Sequence, residues 1–579
     1  VSNSNDVSTH PTKADHRRAQ PLWGRLVRSV RQSNGRALLG WALLSLVVFF
    51  ITIPIISLIV IAFGDAGEVW PHLISTVLPR AVVTTAWLML GVGILTIVIG
   101  VSTAWLVTMC RFPGRGIFQW ALLVPLAIPT YIVAYAAVDL LDYSGPAQNA
   151  LRWLFGFKNA RDYWFPEIRS LPGAILVMSL VLYPYVYLTS RATFLLQSAC
   201  ALDVSRTLGA GPLRLFFAVA LPLARPAIVV GVTLAMMECL NDIGAVEFFG
   251  VKTLTFSVYD TWLNRSSLAG AAQISTVMLL VVLLLLWLER RGRSKQRFAV
   301  TSRRYQALPS YQLTGIRALS AFLACLAPII LGFILPALVL ARSVMLHWQD
   351  NLNTDFFVAM GNSLLLAVCA AILTAAIGTA LAYFARLHNS MFVAAITRIS
   401  SVGYAVPGTV LAVGILIPIA SLDNLIASTM RDWFGIATGL ILISSGAAML
   451  YAYCVRFMAM SYGAGETGLQ RISPNLDAAA RTLGRSPFRT LIEIDLPMIR
   501  PALISGALLV FVDVMKELPA TILLRPFNFE TLATLVYGQA SLEAFEKASL
   551  AALTIVLVGI LPVIVLSRTS GNAHQDEDT

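Results

Sequence analysis

Asp203-Val-Ser-Arg-Thr-Leu-Gly209 and Asp477-Ala-Ala-Ala-Arg-Thr-Leu-Gly484 are two copies of one segment, and their recurrence decides how the chain is built. Arg206-Thr-Leu-Gly209 returns as Arg481-Thr-Leu-Gly484, an offset of 275 residues (481 − 206). At that offset Pro212 meets Pro487, Pro222 meets Pro497, Arg225-Pro226 meets Arg500-Pro501 and Gly231 meets Gly506. Upstream, Ala127-Ile-Pro129 answers to Ala405-Val-Pro407 at a slightly larger offset, as loops of unequal length allow. Ala-rich sequence favours a compact helix, and a following glycine permits a sharp turn. Each copy therefore reads as a short helix–turn–helix elbow, one per half of the chain.

What flanks the elbows is apolar. Of 579 residues, 57% are hydrophobic and 12% charged, with a mean hydropathy of +0.76; soluble domains carry about 25% charged residues. A span of about 20 apolar residues crosses a bilayer. About twelve are predicted, near 37–63, 80–110, 117–140, 171–191, 226–246, 268–289, 317–342, 361–385, 399–420, 437–455, 501–523 and 547–567. The net charge of +12 gathers beside apolar spans, in Lys13, Arg17, Arg18, Arg25, Arg28, Arg31 and Arg36, and again in the connector from Arg290 to Arg317. That placement follows the positive-inside rule. It points to membrane lipid rather than nucleic acid as partner, and predicts cytoplasmic N- and C-termini. The 141–170 loop, placed outside by this count, runs against the rule with Arg152, Lys158, Arg161 and Arg169. The six cysteines form no CxxC pair, which argues against a disulfide framework or zinc site.

The expected layout is a cytoplasmic tail (1–36), a first transmembrane helix and outer loop (37–79) and a first repeat domain (80–290). A basic linker (291–316), a seventh helix and outer loop (317–360), a second half (361–567) and a C-terminal tail (568–579) complete it. Each repeat makes an even number of crossings, so both copies share one orientation. A pseudo-two-fold axis along the membrane normal results, with a cavity on it where equivalent residues face each other.

The elbows, with Val219-Ala-Leu-Pro222 and Ile494-Asp-Leu-Pro497 downstream, resemble the EAA motif of ABC-importer permeases. Asp203 stands where that family usually has Glu; in the second copy the position is Ala478, with Asp477 one residue earlier. The resemblance implies an all-α polytopic fold of two type I importer permease domains. It also implies that Asp203, Arg206, Gly209 and Pro222, and Asp477, Arg481, Gly484 and Pro497, couple the chain to an ATPase. The six lysines follow Thr, Phe, Val, Ser, Met and Glu, never Gly, so the chain lacks the GxxxxGK[ST] phosphate loop. ATP therefore belongs to a partner, two copies of a separate ATPase, and this chain is a translocation subunit with no catalytic residues or bound cofactor.

Beyond each elbow the span carries acids where they are costly. Glu238 and Asp242, and Asp513 and Glu517, are i,i+4 pairs that map onto each other at the 275 offset. An ionised acid in a bilayer costs roughly 2.5–3.5 kcal/mol, so four should face a wet cavity, with Lys516 and Arg525 at hand as compensation. Hard carboxylate oxygens suit hard cations. Tyr131, Tyr135, Tyr404, His72 and His347 read as packed, interfacial or solvated and are left out of the site. The stretches Glu238 to Gly250 and Lys516 to Thr534 resemble the ferric-iron permease family. Over residues 80–570 that likeness implies Fe3+ as cargo, an iron-binding protein outside and a bacterial inner-membrane location. Thiamine or polyamine permeases share the scaffold, and a proton-coupled cation carrier is the rival of another class.

Overall fold

The structure is a computed structural model that describes residues 35–67, 69–196, 211–293, 311–388 and 402–575, with Thr207, Val393 and Thr397 as isolated positions. The chain divides into two units, residues 1–49 and 50–579. Of the first, only the start of helix Gly35–Ala62 is described; the second holds all the remaining elements. Asp203, Arg206 and Gly209 of the first elbow lie outside the described residues.

Among the described residues ten helices are long and apolar enough to cross a membrane. An eleventh arises if Arg115–Ala127 and Thr130–Phe155, which meet at 90°, make one bent span. The bend has a local cause. A 3-10 turn over Val124–Ala127 gives way to extended backbone at Ile128 and Pro129, from which the next helix starts in a new direction. The same device recurs at Val402–Ala405 and Pro407 ahead of helix Gly408–Phe434. The predicted 437–455 span falls on helix Ala447–Gln470, set further along the chain and diluted by Arg456, Glu466 and three tyrosines.

Repetition is structural as well as sequential. Leu78–Met109 packs along Leu171–Leu196, and Leu221–Asn241 packs on both; in the second half Thr354–Leu387, Ala447–Gln470 and Leu496–Met515 repeat the arrangement. Each half also lends its last helix to the other. Leu268–Arg293 lies against Gly408–Phe434, and Phe545–Gln575 against the Val124–Ala127 turn.

Pro222 and Pro497, expected in the elbow loops, lie instead inside the helical runs Pro212–Asn241 and Pro487–Met515. Proline has no N–H to give and its ring crowds the preceding turn. The helix answers with one wider, π-type turn just ahead, Phe216–Ala220 and Leu491–Asp495. There Leu221 N–H reaches the carbonyl of Phe216, and Leu496 N–H that of Leu491. The same π turn precedes Leu78-Pro79 and Leu335-Pro336. Spans predicted to begin near 226 and 501 thus begin near 212 and 487.

Candidate functional site

The downstream ends of those two helices build the site. Both helices break at the acids. Leu221–Asn241 stops at Asp242, and a short helix, Gly244–Phe248, comes next. Leu496–Met515 stops at Lys516, and Pro519–Leu524 comes next. A helix restarting inside a membrane exposes N–H groups that find no water, so acceptors must come from the chain. Asp242 Oδ1 accepts from Ala245 N–H at 2.8 Å, and the Thr130 hydroxyl donates to its other oxygen. Glu517 Oε1 accepts from Ala520 N–H at 2.9 Å; its Oε2 accepts from Thr521 N–H at 3.0 Å and from the Thr521 hydroxyl at 2.5 Å. Each of these acids caps the helix just downstream of it.

Glu238 and Asp513, one turn earlier, are held more lightly. Glu238 Oε1 accepts from the Tyr404 hydroxyl at 2.9 Å. Asp513 Oδ1 lies 2.8 Å from Lys516 Nζ. All four acids line one cavity of about 90 Å³, together with Thr130, Tyr131, Tyr185, Asn241, Arg456 and Lys516. That is room for a few waters or a small ion. Among the described residues no three His, Cys, Asp or Glu side chains are placed to hold a metal ion together. The four carboxylates share a chamber without closing on one point.

Arg456 is the group that sequence reasoning missed. It is buried; its Nη1 donates to Asn241 Oδ1 at 3.0 Å and lies 3.8 Å from Glu517 Oε1. Asn241 Oδ1 also accepts from Gly408 N–H at 2.8 Å, tying the halves together. A Cβ on Gly408 would lie 2.7 Å from the side-chain tips of both Arg456 and Glu517 and 3.0 Å from Ala520 N, so a larger residue there would have to push this ion pair aside. The available signal was an arginine alone within an otherwise uncharged run, Ala447 to Gly465. Tyr404, set aside as packing, bonds Glu238, and Tyr131 lines the cavity with its hydroxyl unpartnered among the described residues. Arg525, expected to compensate the acids, pairs with Glu530 instead. A further tie crosses between the halves, from the Tyr537 hydroxyl to Glu247.

At the opposite end of these helices stands the second elbow. Helix Pro474–Thr482 is capped by Ser473 and ends at Gly484, whose φ of +77° is the left-handed conformation that glycine adopts without strain. Asp477, expected to face a partner, turns inward to Arg386 Nε at 2.8 Å. Arg386 also donates to the carbonyls of Leu469 and Ile472, and Arg481 Nε to the carbonyl of Asp477. The outward surface mixes apolar and basic side chains: Leu483 and Phe488 are 81% and 69% exposed beside exposed Arg481, Arg485 and Arg489, and Leu213, repeat mate of Phe488, is 75% exposed.

The family model described as "binding-protein-dependent transport system inner membrane component" matches residues 96–294 and again 376–571. The chain is 25% identical over 496 residues to the Fe(3+)-transport system permease protein FbpB 2 of Haemophilus influenzae, covering 84% of this chain and 88% of that one. It is 22% identical over 575 residues to the ferric transport system permease protein FbpB of Actinobacillus pleuropneumoniae, covering 93% and 79%. The molybdenum transport system permease protein ModB of Escherichia coli K12 is 27% identical over 206 residues, 34% of this chain and 86% of that one.

Proposed function

The chain belongs, twice over, to the family of binding-protein-dependent transport system inner membrane components, and on that premise we propose that its cargo is Fe3+, passed through the cavity between the halves. It is a multi-pass inner-membrane protein and the permease of a binding-protein-dependent ABC transporter. In the proposal two copies of a separate ATPase seat on the elbows around Gly209 and Gly484, on the cytoplasmic side with both termini. An iron-binding protein docks on the opposite face. Nucleotide-driven closure of the ATPases moves the elbows, and the halves rock about the shared cavity as rigid bodies.

One observation carries the cargo reading. Glu238 and Asp513, repeat mates on the last turns of two equivalent helices, present carboxylates to a single chamber. Counting all six charged groups there as ionised, four carboxylates against Arg456 and Lys516 leave a net two negative charges. Oxygen donors suit a hard cation, and two lightly held carboxylates make a site that releases what it takes up, as conduction requires. The names of two relatives that span most of the chain, Fe(3+) and ferric transport permeases, support the same cargo. A chamber of about 90 Å³ is small beside the roughly 300–1,000 Å³ of organic-ligand pockets, which weighs against thiamine or a polyamine.

A second reading has its own observation. Arg456 and Lys516 stand in the same chamber, and one relative is named for molybdenum transport; an oxyanion would use the cations in place of the acids. Proteoliposomes holding permease, ATPase and donor protein decide between them. ATP-dependent accumulation of 55Fe with no uptake of radiolabelled molybdate supports the first, and the reverse supports the second.

A further inference from the structure

The two cations of the cavity are held in different ways. Arg456 is buried, hydrogen-bonded to Asn241 and 3.8 Å from the Glu517 carboxylate. Lys516 sits at the break in its helix, and its side chain keeps 27% of its exposure. Its ammonium touches one carboxylate, Asp513 at 2.8 Å, and also feels the field of Glu238. At the 275 offset its counterpart is Asn241, and Arg456 answers to Val181; all four line the cavity. Lys516 therefore breaks the pseudo-symmetry just where the Glu238 and Asp513 pair would meet an ion. The Tyr131 hydroxyl, buried and unpartnered among the described residues, belongs to the same wall.

We propose that the Lys516 ammonium is a tethered stand-in for the cargo, neutralising the Glu238 and Asp513 pair while the cavity is empty and yielding its place to an arriving cation. The proposal rests on the cation reading above and names its specificity-determining residue. A compact, partly exposed charge on a flexible four-carbon stem can withdraw, whereas the buried guanidinium of Arg456, wedged between Asn241 and Glu517, has no such freedom. Without the lysine an empty cavity would hold unmatched carboxylates in a poorly solvated place, costly for the protein and sticky for any passing ion. With it, a trivalent ion wins the acids by charge, and the returning ammonium helps release it. Lys516 thus trades affinity for turnover.

Terbium(III), a hard trivalent ion sensitised by tyrosine, is a suitable probe because Tyr185 and Tyr404 stand at these acids. Its luminescence is titrated on the full-length permease in detergent, as wild type, Lys516→Met, Lys516→Gln and Lys516→Arg. Removing a competing charge a few ångströms from the site should tighten terbium binding on the order of tenfold or more. Lys516→Arg should stay near wild type. Adding Glu238→Gln and Asp513→Asn to Lys516→Met should abolish the gain. Lys516→Gln repeats the test should Lys516→Met fail to fold. Terbium binding that depends on the two acids but is unchanged or weakened by both neutral lysine variants overturns the stand-in and leaves the cation reading intact. If terbium ignores the acids, and molybdate binds wild type but not Lys516→Met, then both fall and Lys516 is an anion ligand.

Discussion

Glu517→Gln separates the acids that build the chamber from the acids that serve it. Glu517 accepts three hydrogen bonds, from Ala520 N–H, Thr521 N–H and the Thr521 hydroxyl, and faces Arg456 at 3.8 Å. Glutamine is nearly the same shape but offers one accepting oxygen, so its NH2 group must meet a donor. One buried N–H left without an acceptor costs about 1–3 kcal/mol. Arg456 also loses its carboxylate; stranding a fully buried charge costs about 3–5 kcal/mol, cut here to about 1 kcal/mol because the pair is already 3.8 Å apart and Asn241 still accepts from Arg456. These two effects combine to a net loss of about 2–4 kcal/mol. Asp242→Asn should cost less, since the Thr130 hydroxyl can turn and accept from the new amide. Glu238→Gln should cost almost nothing, because the amide oxygen still accepts from Tyr404. Thermal unfolding of the purified full-length permease, followed by tryptophan fluorescence, should rank Tm as Glu517→Gln below Asp242→Asn below Glu238→Gln and wild type. A Glu517→Gln protein that melts with wild type yet transports nothing would make Glu517 a cargo ligand and refute its role as a helix cap.

Other expectations concern the elbow. Gly484→Asp forces a side chain into left-handed backbone at roughly 1–2 kcal/mol, though a Cβ there meets no atom within 4 Å; membrane insertion should survive while ATP hydrolysis uncouples from uptake in reconstituted vesicles. Leu483→Asp and Phe488→Asp lie on exposed surface, so stability should hold while co-purification with the ATPase is lost; retained association would show that the partner sits elsewhere. Arg386→Met removes the Asp477 ion pair and two carbonyl contacts, and amide hydrogen exchange across 474–484 should quicken several-fold while the membrane helices stay protected.

The chain's plan was legible because it is written twice. One offset aligned the elbows, the prolines and the acids, and the elements Leu221–Asn241 and Leu496–Met515 start 275 residues apart. Apolar runs located most of the spans but not their ends, because a π turn lets a helix run through Leu-Pro, where sequence pattern alone would stop it. The break at Asp242 and Lys516 was hidden for a related reason. Residues 226–246 stay apolar enough to pass for one span, and what divides them is the capping of a new helix by an acid, a tertiary event. For Asp477, sequence placed the acid on the elbow, but only the fold could show that Arg386, 91 residues away, claims it. Arg456 escaped because it has no repeat mate; internal repetition reveals the acids and is silent on a residue present in one half alone.

Whether the repeat-related pair Glu238 and Asp513 carries the cargo through a chamber shared by both halves is decided by ATP-dependent 55Fe uptake. Proteoliposomes contain the ATPase, the loaded iron-binding protein and either wild-type permease or the double variant Glu238→Gln with Asp513→Asn. Wild type should take up iron and the double variant none, with ATPase assembly retained. Uptake by the double variant at the wild-type rate would contradict a role for the pair in the pathway.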